Sequence, residues 1–439
     1  MKRITLLLMI AASLNCLSCR SSKKSAQQPP EVTHSEVVKP SIASGNQKIE
    51  NMNTPAIKRE NLNMSMIDFA FRFYRFQSEA KGNENICVSP VSLQIALGMT
   101  YAGAKNLTAK EMSDVLGFSE DMNLFLKEMS VYHQHLKSAE ENQDITFSLA
   151  NRIYVEQTYK LLEAFMSDMD KHFGGSFEVV DFMNNPREAE KIINKWVETV
   201  TNERIKQLIP DGMLKSSTLM VLVNAIYFKS QWKYAFDEEL TEEMGFYAGE
   251  RGRVERMFMK GELKNIRYAA YKQWQVLELP YVTEDFSFLV VLPNKSTATD
   301  LNTRIPDGDD YLEMLSMLSP HHVYVELPKF KVESAFELEK MMAQMGMPLA
   351  FTDDADFSGM SGKRDIKIDK ILQKVFFEIT EKGSEAAAAT AVVMVRITSV
   401  SPGQDREPIR FIANRPFIFI LKENKYNTPL FIGQYVGKE

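Results

Sequence analysis

The sequence predicts an α+β fold in one domain. Past residue 60, apolar residues at helical spacing dominate the first half, while strand-like runs dominate the second. No internal repeat or later linker divides them. The chain has 439 residues, 44% of them hydrophobic and 25% charged, a balance that supports one large core. Lys and Arg total 52 against 58 Asp and Glu, giving a formal net charge of -6. That balance argues against nucleic acid as a partner, since phosphate neutralisation requires a basic surface.

The elements follow in chain order. Residues 1–18 form a targeting segment, with Lys2 and Arg3 ahead of the apolar run Ile4–Leu14, which is short for a membrane span. The segment resembles a bacterial lipoprotein signal ending at Cys19, preceded by the small Ser18, whereas Cys16 follows Asn15. An ordinary signal peptide with incidental cysteines is the alternative. Residues 19–60 are rich in Ser, Lys, Gln, Pro and Asn, and such a composition suits a flexible tether. The globular domain is 61–439. It retains only Cys87, so no internal disulfide is available to it.

Within the domain, Met64, Ile67, Phe71 and Tyr74 predict a first helix, and Pro90 opens a second through Ile95, Leu97 and Met99. Thr108 with Glu111 suggests a capping box for a third. The runs "ITFSLANRIYV", "FEVVDF", "LMVLVNAIYF", "FSFLVVLP" and "VYVELPKF" predict strands. Leu219–Phe228 is apolar on both faces, as in a strand buried within a sheet.

Catalytic patterns are missing from the sequence. "SGMSG" at 358–362 lacks the spacing of a nucleophile elbow, and there is no phosphate-binding Gly-rich loop and no His-Glu-x-x-His. His133 and His135 lie in a run that reads as a solvated helix, while His321 and His322 follow Pro320 and read as a turn. Cys87, between Ile86 and Val88, reads as a buried inert thiol. No metal site and no cofactor is expected, and the chain is not expected to be an enzyme.

One segment is unlike an ordinary element. After the strand-like "VFFEI" comes Glu381-Lys382-Gly383-Ser384-Glu385, then Ala386, Ala387, Ala388, Ala389 and Thr390, a β-branched run, and a loop rich in Ser, Pro, Gly and Asp. Alone it could be helix or strand. Its small side chains would also slide between strands at little steric cost. Ser384, Ala386, Ala388, Thr390, Val392 and Met394 would then share one face.

The run "EKGSEAAAAT" resembles the hinge of inhibitory serpins. The resemblance extends from residue 61 to the end through "NICVSPVSLQIALGMTYAGAKNLTAKEMSDVLGF", "LVNAIYFKSQW", "LPKFKVES", "NRPFIFIL" and "PLFIGQYV". It implies helices around a large five-stranded sheet, smaller sheets, and an exposed reactive-centre loop at about 381–410. It also implies irreversible inhibition of serine proteases. The protease cleaves the loop, and the cut loop inserts into the sheet before the acyl-enzyme is hydrolysed. In physical terms this is strand addition driven by the release of stored strain. Insertion begins at Ser384, where a small uncharged residue suits burial. Gly383 supplies backbone freedom. Ser89 and Asn224 match the shutter under the sheet, Gln373 stands where the family commonly has His, and Trp232 matches a tryptophan near the insertion point.

By the family's spacing the bait residue lies sixteen positions after Glu381, which makes Ile397–Thr398 the reactive bond and suits elastase-like or subtilisin-like proteases. A hinge one residue shorter gives Arg396–Ile397, suited to trypsin-like or Arg-specific cysteine proteases, with Arg406 a distant third candidate. The expected partner is therefore a target protease held covalently by a monomeric inhibitor, with a membrane reached only through the N-terminal lipid. The expected location is a bacterial cell envelope, or secretion in soluble form. The alternative function is a non-inhibitory serpin-fold binding protein that is cleaved without trapping.

Overall fold

Asn61 is extended (φ -152°), and its side chain accepts the Met64 amide at 3.1 Å to start α1 (Leu62–Lys81). The computed structural model describes residues 61–142, 144–175, 177–294, 301, 305–384 and 407–438. Helix α1 buries Met66, Phe69, Phe73 and Tyr74 and ends at Gly82, whose φ of 58° frees the chain to turn. After the short β1 (Ile86–Val88), Pro90 occupies the first turn of α2 (Pro90–Gly103), which is buried along almost its whole length.

Helix α3 (Asn106–Leu116) begins after Lys105, ahead of the expected capping box. Thr108 and Glu111 have other partners: the Thr108 hydroxyl accepts the Asp356 amide at 2.9 Å and the Glu111 carboxylate accepts the Leu349 amide at 2.9 Å. Their side chains satisfy a distant loop, because Lys105, extended and bonded to the Asp356 carbonyl, has already set the helix start. Asp121 caps α4 (Met122–Glu140), accepting the Asn123 and Leu124 amides. Next come β2 (Ile145–Glu156), α5 (Glu163–Phe173), β3 (Phe177–Val180), α6 (Pro186–Val200) and β4 (Met220–Gln231).

The second half is mostly strand: β5 (Glu242–Tyr247), β6 (Arg253–Tyr271), β7 (Trp274–Pro280) and β8 (Phe286–Pro293) precede α7 (Gly308–Met317). Then β9 (Ser319–Pro328) and β10 (Phe330–Glu337) lead to α8 (Glu339–Gln344), α9 (Ser358–Ser361) and β11 (Lys370–Thr380). The chain closes with β12 (Gly383–Ser384), β13 (Ile409–Ile412), β14 (Phe417–Glu423) and β15 (Pro429–Tyr435). His321 and His322 lie within β9 and not in a turn; His321 pairs with Ile266, and the His322 ring meets Glu262 at 2.6 Å.

Among the described residues the main sheet has the strand order β3-β2-β4-β11-β10, with the two-residue β12 wedged between β4 and β11. The other nine strands among the described residues form one continuous sheet through the long β6, which pairs with β5 over Arg253–Phe258, with β9 over Phe258–Tyr268 and with β7 over Arg267–Tyr271. Strand β4 is buried from Met220 to Phe228, as its two-sided apolar pattern requires. Met220, Leu222, Ile226 and Phe228 enter the larger core. Val221, Val223 and Ala225 enter a second core with Ile193 and Val197 of α6 and with Leu208, Ile209 and Leu214. An aromatic stack of Phe288, Phe377 and Phe419 joins the two sheets. The α+β architecture read from the sequence is thus the one observed.

Candidate site at a split strand seam

The site is a seam that closes at one end and opens at the other. Strands β4 and β11 run parallel and pair from Val221–Lys370 to Ile226–Val375. Further along, β12 takes the space between them: Ser384 lies opposite both Ser230 and Ile379, and Gly383 opposite both Gln231 and Thr380. Ser384, where insertion is expected to begin, and Gly383 before it are strand here, and Ser384 is 1% exposed. Ile409 and Arg410 belong to β13.

Several side chains hold this junction. The Tyr281 hydroxyl bonds the Ser384 hydroxyl, and burial pushes the Tyr281 phenol well up from its ordinary pKa. Trp232 stacks on Tyr281 with ring centroids 4.6 Å apart, and its indole N–H donates to the Thr380 carbonyl at 2.9 Å. Gly383 has φ 149°, and a Cβ there would lie 2.1 Å from the Ser230 carbonyl oxygen, so both conformation and space demand glycine. Glu381 is 5% exposed; its carboxylate accepts the Thr241 hydroxyl at 2.8 Å and pairs with Lys329 at 3.0 Å. Burial opposes its ionisation, yet a backbone N–H, Lys329 and Thr241 outweigh that and hold the carboxyl below its usual range. Lys382 is exposed and pairs with Glu238 at 2.8 Å.

Ser89, Asn224 and Gln373 meet beneath the closed end of the seam. Asn151, Asn224 and Gln373 stand abreast on β2, β4 and β11 by register. Gln373 donates to the Asn224 side-chain oxygen at 2.5 Å and to the Ser89 carbonyl at 2.8 Å, and accepts the Ser89 amide at 3.1 Å. Asn224 donates onward to Asn151 at 2.5 Å and to Ser92 at 2.6 Å. The Ser89 hydroxyl and the Asn151 side-chain amide are buried without a partner among the described residues.

Sequence reasoning missed Asn151, Ser92, Tyr281, Thr241 and Lys329. A signal existed for two of them: Asn151 interrupts an apolar strand, and Ser92 follows Ser89 by one helical turn. Glu385, Ala386, Ala387, Ala388, Ala389, Thr390, Arg396, Ile397, Thr398, Arg406 and Cys19 lie outside the described residues.

The arrangement is a sheet parted around β12. Cys87 is fully buried, and burial drives its thiol pKa well up. His135 lies on α4 and bonds the buried Glu423 carboxylate at 3.0 Å, while burial, with Lys137 adding to it, lowers the pKa of His133. Among the described residues no three His, Cys, Asp or Glu side chains form a metal-binding group, and no helix is long and apolar enough to cross a membrane.

Residues 64–437 match a family model described as serpin, a serine protease inhibitor. Human Serpin B4 is 36% identical over 390 residues, covering 85% of this chain and 98% of that protein. The leukocyte elastase inhibitor of Xenopus laevis is 33% identical, covering 86% and 99%. Among solved structures, Serpin48 of the insect Tenebrio molitor superposes with a TM-score of 0.73 at 27% identity, covering 90% of this chain and all of that one.

Proposed function

The chain belongs to the serpin family, and on that premise we propose that it is an irreversible suicide-substrate inhibitor of serine proteases. The observation that carries this reading is the seat of Gly383 and Ser384 between β4 and β11. The sheet has parted at that end, and its ladder holds two residues of the hinge, Gly383 and Ser384. Continued in the same register, the residue six positions after Ser384 is Thr390, which would come between Asn224 and Gln373. Parity places it on the same face as Ser384, toward the polar network. A threonine hydroxyl there would bond the two groups that the entering strand separates. Ala386 and Ala388 would occupy the same face ahead of it without bulk.

In the proposed reaction the protease's serine attacks the Ile397 carbonyl, and the Ile397–Thr398 bond breaks. The new amine of Thr398 departs with the C-terminal segment, while Ile397 stays esterified to the protease. Insertion of the hinge then carries the ester away before water completes hydrolysis. The inhibitor supplies the bait and the stored energy, and the protease supplies the nucleophile. Arg396 provides a second bait carbonyl one residue earlier, for trypsin-like or Arg-specific cysteine proteases. The leukocyte elastase inhibitors among its relatives favour an apolar bait.

The same reading takes residues 1–18 as a signal, lipidation at Cys19, a tether over 19–60, and a monomeric inhibitor held at a bacterial envelope. There it would shield surface proteins from proteolysis. The test is incubation of the chain with an elastase and with trypsin. A covalent complex on denaturing gels, with a released fragment starting at Thr398 or at Ile397, is expected and identifies the bait. Cleaved chain beside fully active protease would reject inhibition and favour the binding-protein alternative.

A further inference from the structure

A cleft of about 770 Å³ opens between β6 and β10, lined by residues 255–257 of one and 330–333 of the other. At its apex the Lys329 amide donates to the Met257 carbonyl at 2.8 Å. Beyond that bond the two strands are no longer paired, and among the described residues no strand lies between them. Alternation within an antiparallel ladder decides which backbone groups face the cleft. Leu338 donates to the Ile371 carbonyl at 2.9 Å, and the register from Phe330–Ile379 to Glu337–Leu372 is unshifted, so the even-numbered residues of β10 bond β11. The N–H and C=O of Lys331 and Glu333 therefore point the other way, as that of Lys329 does, toward the free edge of the sheet. On the opposite wall Glu255 has the parity of Met257. Its carbonyl accepts the Arg256 guanidinium at 2.6 Å, a side chain standing where a strand would bond.

We propose that the free edge of β10 binds an extended peptide of another protein as a further antiparallel strand, and selects the residue order basic, apolar, acidic. A peptide is the ligand whose own backbone repeats N–H and C=O at the strand interval of about 3.4 Å. Charged side chains commonly blunt an exposed edge, and here they also give it an order. Lys331 and Glu333 are each half exposed and pair with one another at 2.7 Å, so both stay beside the edge. On an antiparallel partner the basic residue lies opposite Glu333 and the acidic residue opposite Lys331. The apolar residue between them lies opposite Val332 and turns to the same face, where Val332 and Phe330 line the cleft. Four acidic and four basic side chains line the cleft in all, so neither a polyanion nor a polycation is favoured. The same order occurs on β10 itself, but a second copy presents it walled by its own β6, so a lone strand is the better fit.

The test is fluorescence anisotropy of the full chain with two blocked, labelled peptides, "TTKVETT" and its charge-exchanged form "TTEVKTT". The first is expected to bind at least about 5-fold more tightly, because two opposite-charge pairs become two like-charge pairs in the second. In the double variant Lys331→Glu with Glu333→Lys the preference inverts. Both positions are half exposed and the exchange keeps their ion pair, so the variant is expected to fold, and circular dichroism checks this. Residue-resolved hydrogen exchange is expected to show the Lys331 and Glu333 amides slowed by "TTKVETT". Equal binding of the two peptides, binding of neither, or a preference that does not invert overturns the proposal. So does slowing confined to residues 227–229 and 376–378, which assigns the peptide to the parted seam. Slowing of the Lys331 amide when the chain alone is concentrated also overturns it, assigning the edge to a second copy. No readout depends on protease trapping, so failure here is separate from failure of the inhibitor reading.

Discussion

At the residue scale, two positions govern whether the seam admits a strand. Ser384 is buried against Tyr281 and both flanking strands, so Ser384→Arg would place an unpaired charge in that space, costing several kcal/mol. The loop should still be cleaved, but the ratio of trapped to merely cleaved chain should fall at least about 10-fold on a stoichiometric titration against elastase. Gln373 links Asn224 to Ser89 without a titrating group. Gln373→His is therefore expected to create a pH dependence that the natural chain lacks at this position. Below about pH 6.5 the buried imidazolium would disfavour the closed seam, and trapping should accelerate relative to pH 8. Stopped-flow trapping rates across that range check it. Small size and sequence order are the signal from which the hinge is read, and of its residues Glu381, Gly383 and Ser384 lie within the described ones. Tyr281 was not legible, since its contact with Ser384 spans more than a hundred residues and exists only once β7 packs beside the seam.

At the scale of elements, the turn from β11 into β12 works as a lock held by the Glu381 carboxylate. The Glu381 pKa is held below its ordinary value in the folded chain, so its contribution to stability is full above the unfolded value of about 4.3. That contribution is lost as pH falls through the lower folded value. Acidification below about pH 4 should therefore loosen the Trp232 and Phe236 amides, which donate to the Lys382 and Glu381 carbonyls. Amide exchange, corrected for its intrinsic pH dependence, should show faster opening there, and Glu381→Gln should show it already at pH 7. Unchanged exchange in both cases would remove the lock. Element types were largely legible, because apolar periodicity decides them. The start of α3 was not: Thr108 and Glu111 have the chemistry of a capping box, but the loop at 348–356 claims both side chains. Nor was β12, since a two-residue strand has no periodicity to read and depends on the parting of its neighbours.

At the scale of the whole molecule, the main sheet is unfinished: its middle strands β4 and β11 form a seam that is paired at one end and wedged at the other. If Thr390 completes the Asn224–Gln373 pair after insertion, Thr390→Val should leave the uncleaved chain's stability within about 0.5 kcal/mol. It should lower that of the cleaved form by about 1–3 kcal/mol, read from denaturant midpoints. The most direct measurement is the melting temperature of the chain before and after a single cut within residues 391–406 by a protease that is not trapped. A new strand bonded on both sides adds at least ten ladder bonds at about 1 kcal/mol each, so Tm should rise by about 10 °C or more. An unchanged or lowered Tm would mean that the cut loop stays outside the sheet, and would contradict insertion as the source of inhibition.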